Sequence, residues 1–400
     1  MTAAADHHHP AGQPCAGHLR PAWAEIDLAA VESNSRALAS AVAPARLCAV
    51  VKAGGYGHGA VEVARAALAG GASHLAVALV EEGRELRRAG IEAPVLVLSE
   101  PDPAAMDDVV GHRLTPTLYT PRGLAALRAA AGATRTPPVP VHVKVDTGMH
   151  RVGAPPDQAV ALAADVASSP ELELEGFWTH FAVSDEVEDG FTATQVASFQ
   201  AAVDRLEARG VRPRLLHAAN SAGAIWHPGA RFDLVRCGIA VYGLSPAAED
   251  TPRRPLPRLV PAMALKARVS YVKQVGVGEG LSYGLRYRTS EDTVVATVPL
   301  GYADGVTRSL SARGAEVLIG GRRLPMAGTV TMDQLLVDCG PGSRVAVGDE
   351  VVLIGSQGQE RVTAWEWAAL TGTIAYEVVC AISGRVPRSY LTTGERGPGR

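Results

Sequence analysis

The chain has 400 residues, with 38 Lys plus Arg against 41 Asp plus Glu and a net charge of −3. At about 150 residues per domain this is two or three domains, although a barrel alone can take about 250. The balanced charge excludes the basic footprint of a general nucleic-acid binder, and 47% hydrophobic with 20% charged residues excludes a disordered chain. No apolar run approaches the roughly 20 residues that span a bilayer.

Residues 1–20 read as a flexible, disordered tail. The segment lacks the cationic start and apolar core of a secretory signal. His7, His8 and His9 are metal-ligand types, but a short histidine run in a polar tail needs no metal, and no metal is expected. Cys15, Cys48, Cys237, Cys339 and Cys380 are odd in number, scattered and never in a C-x-x-C pair. That spacing argues against a disulfide scaffold or zinc module and for a reducing, cytoplasmic compartment.

From Pro21 short apolar runs alternate with Ala-rich amphipathic stretches. Strands are predicted at 46–52, 74–79, 94–99, 139–146, 172–180 and 231–236. Helices are predicted at 28–42, 60–69, 80–89, 121–131, 158–167 and 192–209. Apolar strands each followed by a helix imply a parallel sheet covered on both faces. About 240 residues of this pattern fit a (β/α)8 TIM-type barrel over 21–255, with an open doubly wound sheet as the alternative. The Pro/Arg-rich stretch 251–261 reads as a linker. After it, turn signals divide short strands at 263–275, 293–299, 316–319, 334–338 and 350–354, with one helix at 364–370. This is a mostly β C-terminal domain over 256–392, closed by a flexible tail at 393–400.

Barrel chemistry sits where strands end at their C-terminal face. Lys52 ends a strand and opens into AGGYGHG. Lys144 and Asp146 end another before TGMHR. His180 ends a third, His217 precedes AANSAG, and Arg236 precedes CGIAVYG. A lysine leaving an apolar strand is partly desolvated, which favours its neutral, nucleophilic form.

The segments VVKAGGYGHG, VKVDTGMHRVG, HAANSAG, RCGIAVYGL, LSYG, PLGYADG and TMDQ follow one another in this order. In order and approximate spacing they resemble the bacterial, pyridoxal-phosphate-dependent alanine racemase family, from about Trp23 to Arg388. The resemblance implies pyridoxal 5'-phosphate as cofactor, alanine as substrate and D-alanine supply for peptidoglycan. It implies Lys52 as the Schiff-base lysine and base on one face of the substrate. Tyr283 is then the base on the other face, reaching the site of the partner subunit in a homodimer. Two bases flanking a planar carbanion are what racemisation requires, and a tyrosine base near neutrality needs neighbouring cations.

Further roles follow from the resemblance alone. Arg236 meets the pyridine nitrogen, and because an arginine keeps its proton the ring stays a weaker electron sink. Arg151 lies near the substrate carboxylate, His180 links the tyrosine side to Arg236, and the Met332 amide contacts the carboxylate. Tyr56, Ser221, Gly238, Ile239 and Tyr376 form the phosphate cradle, with Asn220 supporting Ser221. Lys144 matches a lysine often carbamylated; an ordinary lysine paired with Asp146 is the alternative. Asp185, Arg308, Ile374 and Tyr302, with Tyr376, line the substrate access corridor. The chain departs from the family at Gly54 and Gly55 after the lysine, at Thr331, and at Thr329. An arginine usually stands at 329 on the outer corridor, so altered access is expected. The competing functions are a broad-specificity amino-acid racemase, a barrel-type decarboxylase, whose catalytic cysteine context Cys339 in LLVDCG lacks, and a cofactor carrier, against which residues 262–390 argue.

Overall fold

A computed structural model of the chain describes residues 19–133, 137–248 and 257–392. The expected His-rich segment, the domain border at 255/256 and the C-terminal tail lie outside these residues. Arg20, expected to end a flexible tail, is instead anchored: its guanidinium donates two hydrogen bonds of 2.9 Å to the buried Asp304 carboxylate.

The chain divides into two compact units, one spanning Ala30–Pro261 and the other joining residues up to Ala29 with those from Ala262 onward. The first strand, β1 (Ala22–Asp27), therefore corrects the expectation that the barrel domain begins at residue 21. It pairs antiparallel with β10 (Met263–Arg268) and parallel with a C-terminal strand, Arg388–Leu391. All six of its residues are buried. Burial of Glu25 is offset by Lys266 on β10, 3.1 Å away. An early segment and a late one thus complete one sheet, a pairing that local pattern does not contain.

The Ala30–Pro261 unit holds eight parallel strands. They are β2 (Arg46–Val50), β3 (His74–Val77), β4 (Val95–Val97), β5 (Thr115–Leu118), β6 (Val139–Lys144), β7 (Leu172–Trp178), β8 (Leu215–His217) and β9 (Leu234–Cys237). Ladders run in the order β8-β7-β6-β5-β4-β3-β2-β9. The seam between β8 and β9 is spanned by Asp233 N–H to Leu216 O and Arg236 N–H to Ala219 O, both 2.9 Å. The predicted alternation and its barrel closure are therefore present. Two strands escaped the prediction: TPTL at β5 carries a proline, and LLH at β8 is only three residues long.

The interior of this barrel is not uniformly apolar. His142 and Lys144 are two residues apart on β6, so they share a face, and both are buried. Gly176 on β7 stands opposite His142; a Cβ there would lie 2.4 Å from His142 Nδ1. The β6–β7 register also slips at Val141/His142, leaving Glu175 as the extra residue. Such a bulge re-aims a side chain, and the Glu175 carboxylate is buried against His142.

The main sheet of the other unit runs in the order Arg322–Pro325, Glu316–Ile319, Glu350–Gln357, β10, β1 and Arg388–Leu391, with a separate three-stranded sheet and a two-stranded hairpin. That hairpin pairs Gly280–Leu281 with Tyr287–Arg288 and carries Tyr283 in its connection. No helix among the described residues is long and apolar enough to cross a membrane.

Candidate active site

Lys52 follows β2 and opens a tight turn. Ala53, Gly54, Gly55 and Tyr56 all take left-handed backbone, with φ between 52° and 63°. A side chain in that region costs about 1–2 kcal/mol per residue, so glycine at 54 and 55 suits the conformation rather than loosening it. The turn is tied down from the helix after β3. Glu82 accepts from Ala53 N–H at 2.6 Å with one oxygen and from Ala78 and Leu79 N–H with the other. Glu82 was not foreseen; it sits at the third position of helix Val80–Arg88, but Leu79 before that helix is not a capping residue type.

Two sequence segments interlock beneath this turn. The rings of Tyr56 and His58 pack on Tyr242 at 4.8 and 4.6 Å, and Tyr242 Oη donates to Val50 O at 2.9 Å. Gly238 lies against Tyr56: a Cβ would fall 2.3 Å from Tyr56 Oη. Ser221 Oγ accepts from Gly238 N–H at 3.0 Å, and Asn220 caps the following helix through Gly223 N–H at 2.9 Å. The buried Ile239 N–H meets no acceptor among the described residues. A close-approach glycine, two hydroxyls and an unused buried amide fit a bound phosphate.

Arg236, buried on β9, is the hub of the strand ends. It donates to Nδ1 of His217 at 2.7 Å, to Nδ1 of His180 at 3.1 Å, and to the carbonyls of Thr179 and Ala218 at 2.9 Å. Its Nε–H has no acceptor among the described residues. Arg236 Cζ lies 4.3 Å and Lys144 Nζ 4.4 Å from the centre of the Trp178 ring. Burial lowers the Arg236 pKa to about 10, against the pull of the Cys48 and Cys237 thiols. The guanidinium therefore keeps its charge at neutral pH. The same burial and charge hold the half-buried His180 well below the usual imidazole range.

Lys144 is buried with cations around it. Burial first, then Arg236 and Arg151, bring it from 10.5 to about 7. The expected alternative partner is engaged elsewhere. Asp146 takes the amides of Gly148 and His150 and the His150 ring at 3.0 Å, and Lys144 has no carboxylate within ion-pair distance among the described residues. Arg151 and Asp185 are exposed.

The remaining expected positions lie on the other unit. Tyr283 is 70% exposed on a constrained turn. Ser282 before it has φ 60° and ψ −169°, a region nearly reserved for glycine that costs a serine about 1–3 kcal/mol. Hydroxyls hold the turn from both sides. Ser282 Oγ donates to Thr329 O at 2.6 Å, and Thr329 Oγ1 donates to Tyr283 O at 2.8 Å. Thr329 is buried, and its observed side-chain contact is with the Tyr283 backbone. Tyr302 and Met332 belong to adjoining loops: Tyr302 N–H reaches Thr331 O at 2.9 Å and Ala303 N–H reaches Met332 O at 3.1 Å. Asp333 pairs with Arg385 at 2.6 Å. Arg308 and Ile374 are exposed, and Tyr376 is half-buried on helix Ala375–Cys380. Cys339 is buried, and burial raises its thiol to about 11, which is unsuited to a reactive cysteine.

Comparison with known proteins decides the family. The alanine racemase N-terminal domain model matches residues 26–246, and the C-terminal domain model matches 262–390. The chain belongs to the alanine racemase family. Among curated relatives, the alanine racemase of Symbiobacterium thermophilum is 49% identical over 93% of this chain and 97% of its own. That of Desulfovibrio desulfuricans is 46% identical over 93% and 98%. The structure is similar to the alanine racemase of Bacillus anthracis solved with bound L-Ala-P. That comparison has a TM-score of 0.88 and 39% identity, covering 95% of this chain and 97% of that one. The alanine racemase from E. faecalis gives 0.86 and 39%, covering 94% of this chain and 99% of that one. The resemblance drawn from the motifs and the barrel-plus-sheet fold agree with these matches.

Proposed function

We propose that the chain interconverts L- and D-alanine with pyridoxal 5'-phosphate bound at the barrel rim, as a cytoplasmic homodimer whose D-alanine feeds peptidoglycan synthesis. The racemase activity follows from the family. The observation that carries the cofactor reading is Arg236: a buried, permanently charged donor with a spare Nε–H, beside a cradle formed at Tyr56, Ser221, Gly238 and Ile239. When bound, pyridoxal phosphate supplies an aldehyde carbon and an electron-withdrawing ring that acidify the α C–H of an attached amino acid.

The residues of the chain do the rest. Lys52 would hold the cofactor, and its Nζ would take or return the α-proton on one face. Tyr283 Oη of the partner subunit serves the opposite face. Arg236 would meet the ring nitrogen and keep its own proton, which would limit electron withdrawal and favour return of the proton to the α-carbon. Arg151 and the Met332 amide receive the substrate carboxylate. Support for the shared site is the exposure of Tyr283, Leu285, Met332 and Ile374 on one unit; aromatic and methionine side chains are enriched at interfaces. Free, buried thiols at Cys48, Cys237 and Cys339 support the reducing compartment. Lys144, about half of it neutral near pH 7 and lacking an anionic partner among the described residues, is suited to take up CO2 as a carbamate with release of a proton, and so to supply a negative charge beside Arg151.

Chiral product analysis of the purified protein with added pyridoxal phosphate tests this reading. D-alanine should form from L-alanine far faster than D-serine, D-lysine or D-arginine form from their enantiomers. Comparable rates would make it a broad-specificity racemase, and amine release instead of racemisation would overturn the reading.

A further inference from the structure

A line of polar side chains runs through the barrel core away from the rim. Arg236 donates to His217 Nδ1. His217 Nε2 lies 2.8 Å from His142 Nδ1. His142 Nε2 lies 3.2 Å from Glu175 Oε2, and the other Glu175 oxygen accepts from Arg214. Arg214 immediately precedes β8, and Glu175 lies three residues before the end of β7, so this end of the line is toward the strand N-termini.

We infer that Glu175, held by Arg214, is a positioning residue that fixes the tautomers of His142 and His217 and thereby the seating of Arg236. A guanidinium is a donor only, so His217 Nδ1 must accept. A neutral imidazole has one N–H, which places the His217 proton on Nε2. That proton is donated to His142 Nδ1, so the His142 proton is on Nε2, facing Glu175. The carboxylate is an acceptor only and demands the same direction from its end. Reversing both rings sets an N–H against the guanidinium and a lone pair against the carboxylate, and reversing one ring leaves one of these mismatches and sets like groups against each other between the rings, so each alternative carries two buried mismatches. An imidazolium at His142 fails for the same reason, because its Nδ1–H would require His217 to accept on Nε2 and donate toward Arg236.

Electrostatics agree with the direction. Burial and the Arg236 charge hold His217 well below the usual imidazole range. Burial alone would raise the Glu175 carboxyl, but the His142 and Arg214 hydrogen bonds bring it below its ordinary value. His74, Arg46 and Arg214 also face this end, and His74 is itself held down to about 4, chiefly by burial. The backbone is shaped for the line as well: the bulge presents Glu175, and Gly176 leaves the space that the His142 ring fills. The consequence for turnover rests on the racemase reading; the tautomer assignment does not.

The test uses holoenzyme labelled with ¹⁵N-histidine, whose ring-nitrogen resonances report which nitrogen carries the proton. His142 and His217 are expected as neutral Nε2–H forms. Glu175→Gln keeps an oxygen acceptor for His142, while Arg214 can turn to Glu173, 3.7 Å away. It should retain both tautomers and kcat within about twofold. Glu175→Met removes the acceptor at similar volume and should mix the tautomers and lower kcat about tenfold, with KM for alanine little changed. A proton on Nδ1 of either ring in the unmodified protein overturns the proposal, whether or not the variants fold. So does a Glu175→Met protein with unchanged tautomers and turnover. Loss of alanine racemisation in the parent enzyme would instead strike the functional reading and leave the tautomer result intact.

Discussion

The strand ends of the barrel unit and the Tyr283 turn of the sheet unit prepare functional groups in opposite ways. At the barrel rim Arg236 and Lys144 are buried, and desolvation with like-charge crowding sets their protonation. Strand register places them, as in the pairing of Lys144 with Trp178 and of Trp178 with His217. Tyr283 is exposed, and a strained serine with two hydroxyl–carbonyl bonds sets its backbone. Burial tunes chemistry within one unit, whereas an exposed turn is only aimed, and under the proposed dimer its environment would come from the partner subunit.

The largest expected effects come from deleting the proposed bases in turn. Lys52→Ala should abolish the yellow colour of bound cofactor and cut racemisation by about 10⁴-fold or more, the upper range for a general acid–base group. Tyr283→Phe should keep the colour and lose about 10²–10⁴-fold in kcat. A Tyr283→Phe enzyme of normal rate would remove the turn from the chemistry and end the comparison.

Next is the cradle. Gly238→Ala puts a Cβ against Tyr56 Oη, and such overpacking costs about 1–3 kcal/mol. Cofactor affinity, read by titration of the apoprotein, should fall about tenfold or more with little change in far-UV circular dichroism. Smaller effects are expected at the turn. Thr329→Val loses one hydrogen bond to Tyr283 O, worth about 1 kcal/mol, and kcat should drop about fivefold with cofactor binding unchanged. Thr329→Ser should restore it, and failure of that rescue would return Thr329 to a packing or access role.

The last expected effect is on stability rather than turnover, and it concerns pH. The folded Lys144 pKa of about 7 lies below the ordinary 10.5, so between these values the unfolded chain binds more protons. Stability from this group therefore rises with pH from about 7 to about 10.5 and is lacking below 7, where a buried charge must be carried. In carbonate-free buffer, denaturant midpoints should show that rise and Lys144→Met should flatten it. Added bicarbonate should stabilise the parent protein near pH 8 but not Lys144→Met, if the carbamate forms. No response to bicarbonate would dismiss the carbamate.

Much of the barrel was legible because its signals are local. Apolar β-branched runs and 3.6-residue periodicity belong to single segments, and helices such as Leu28–Val42 and Ala60–Ala69 fall where periodicity places them. β5 and β8 were missed because a proline and a three-residue length hide strands whose stability comes from neighbours. The rim residues Lys52, Lys144, His180 and Arg236 were legible as polar groups closing apolar runs. Glu82, Glu175 and the working contact of Thr329 were not, since each acts on a residue distant in sequence: Ala53, His142 and Tyr283.

Sequence by itself determined the order of elements, the racemase family and the chemical types available at the strand ends. Tertiary structure alone decided that β1 completes the second unit's sheet, that glycines 54 and 55 relieve left-handed strain, and that two buried imidazoles share one direction of donation. The physical reason is the same in each case. Propensity and periodicity are properties of neighbours along the chain, whereas sheet pairing, desolvation and the matching of donors to acceptors depend on which distant groups folding brings within a hydrogen bond's reach.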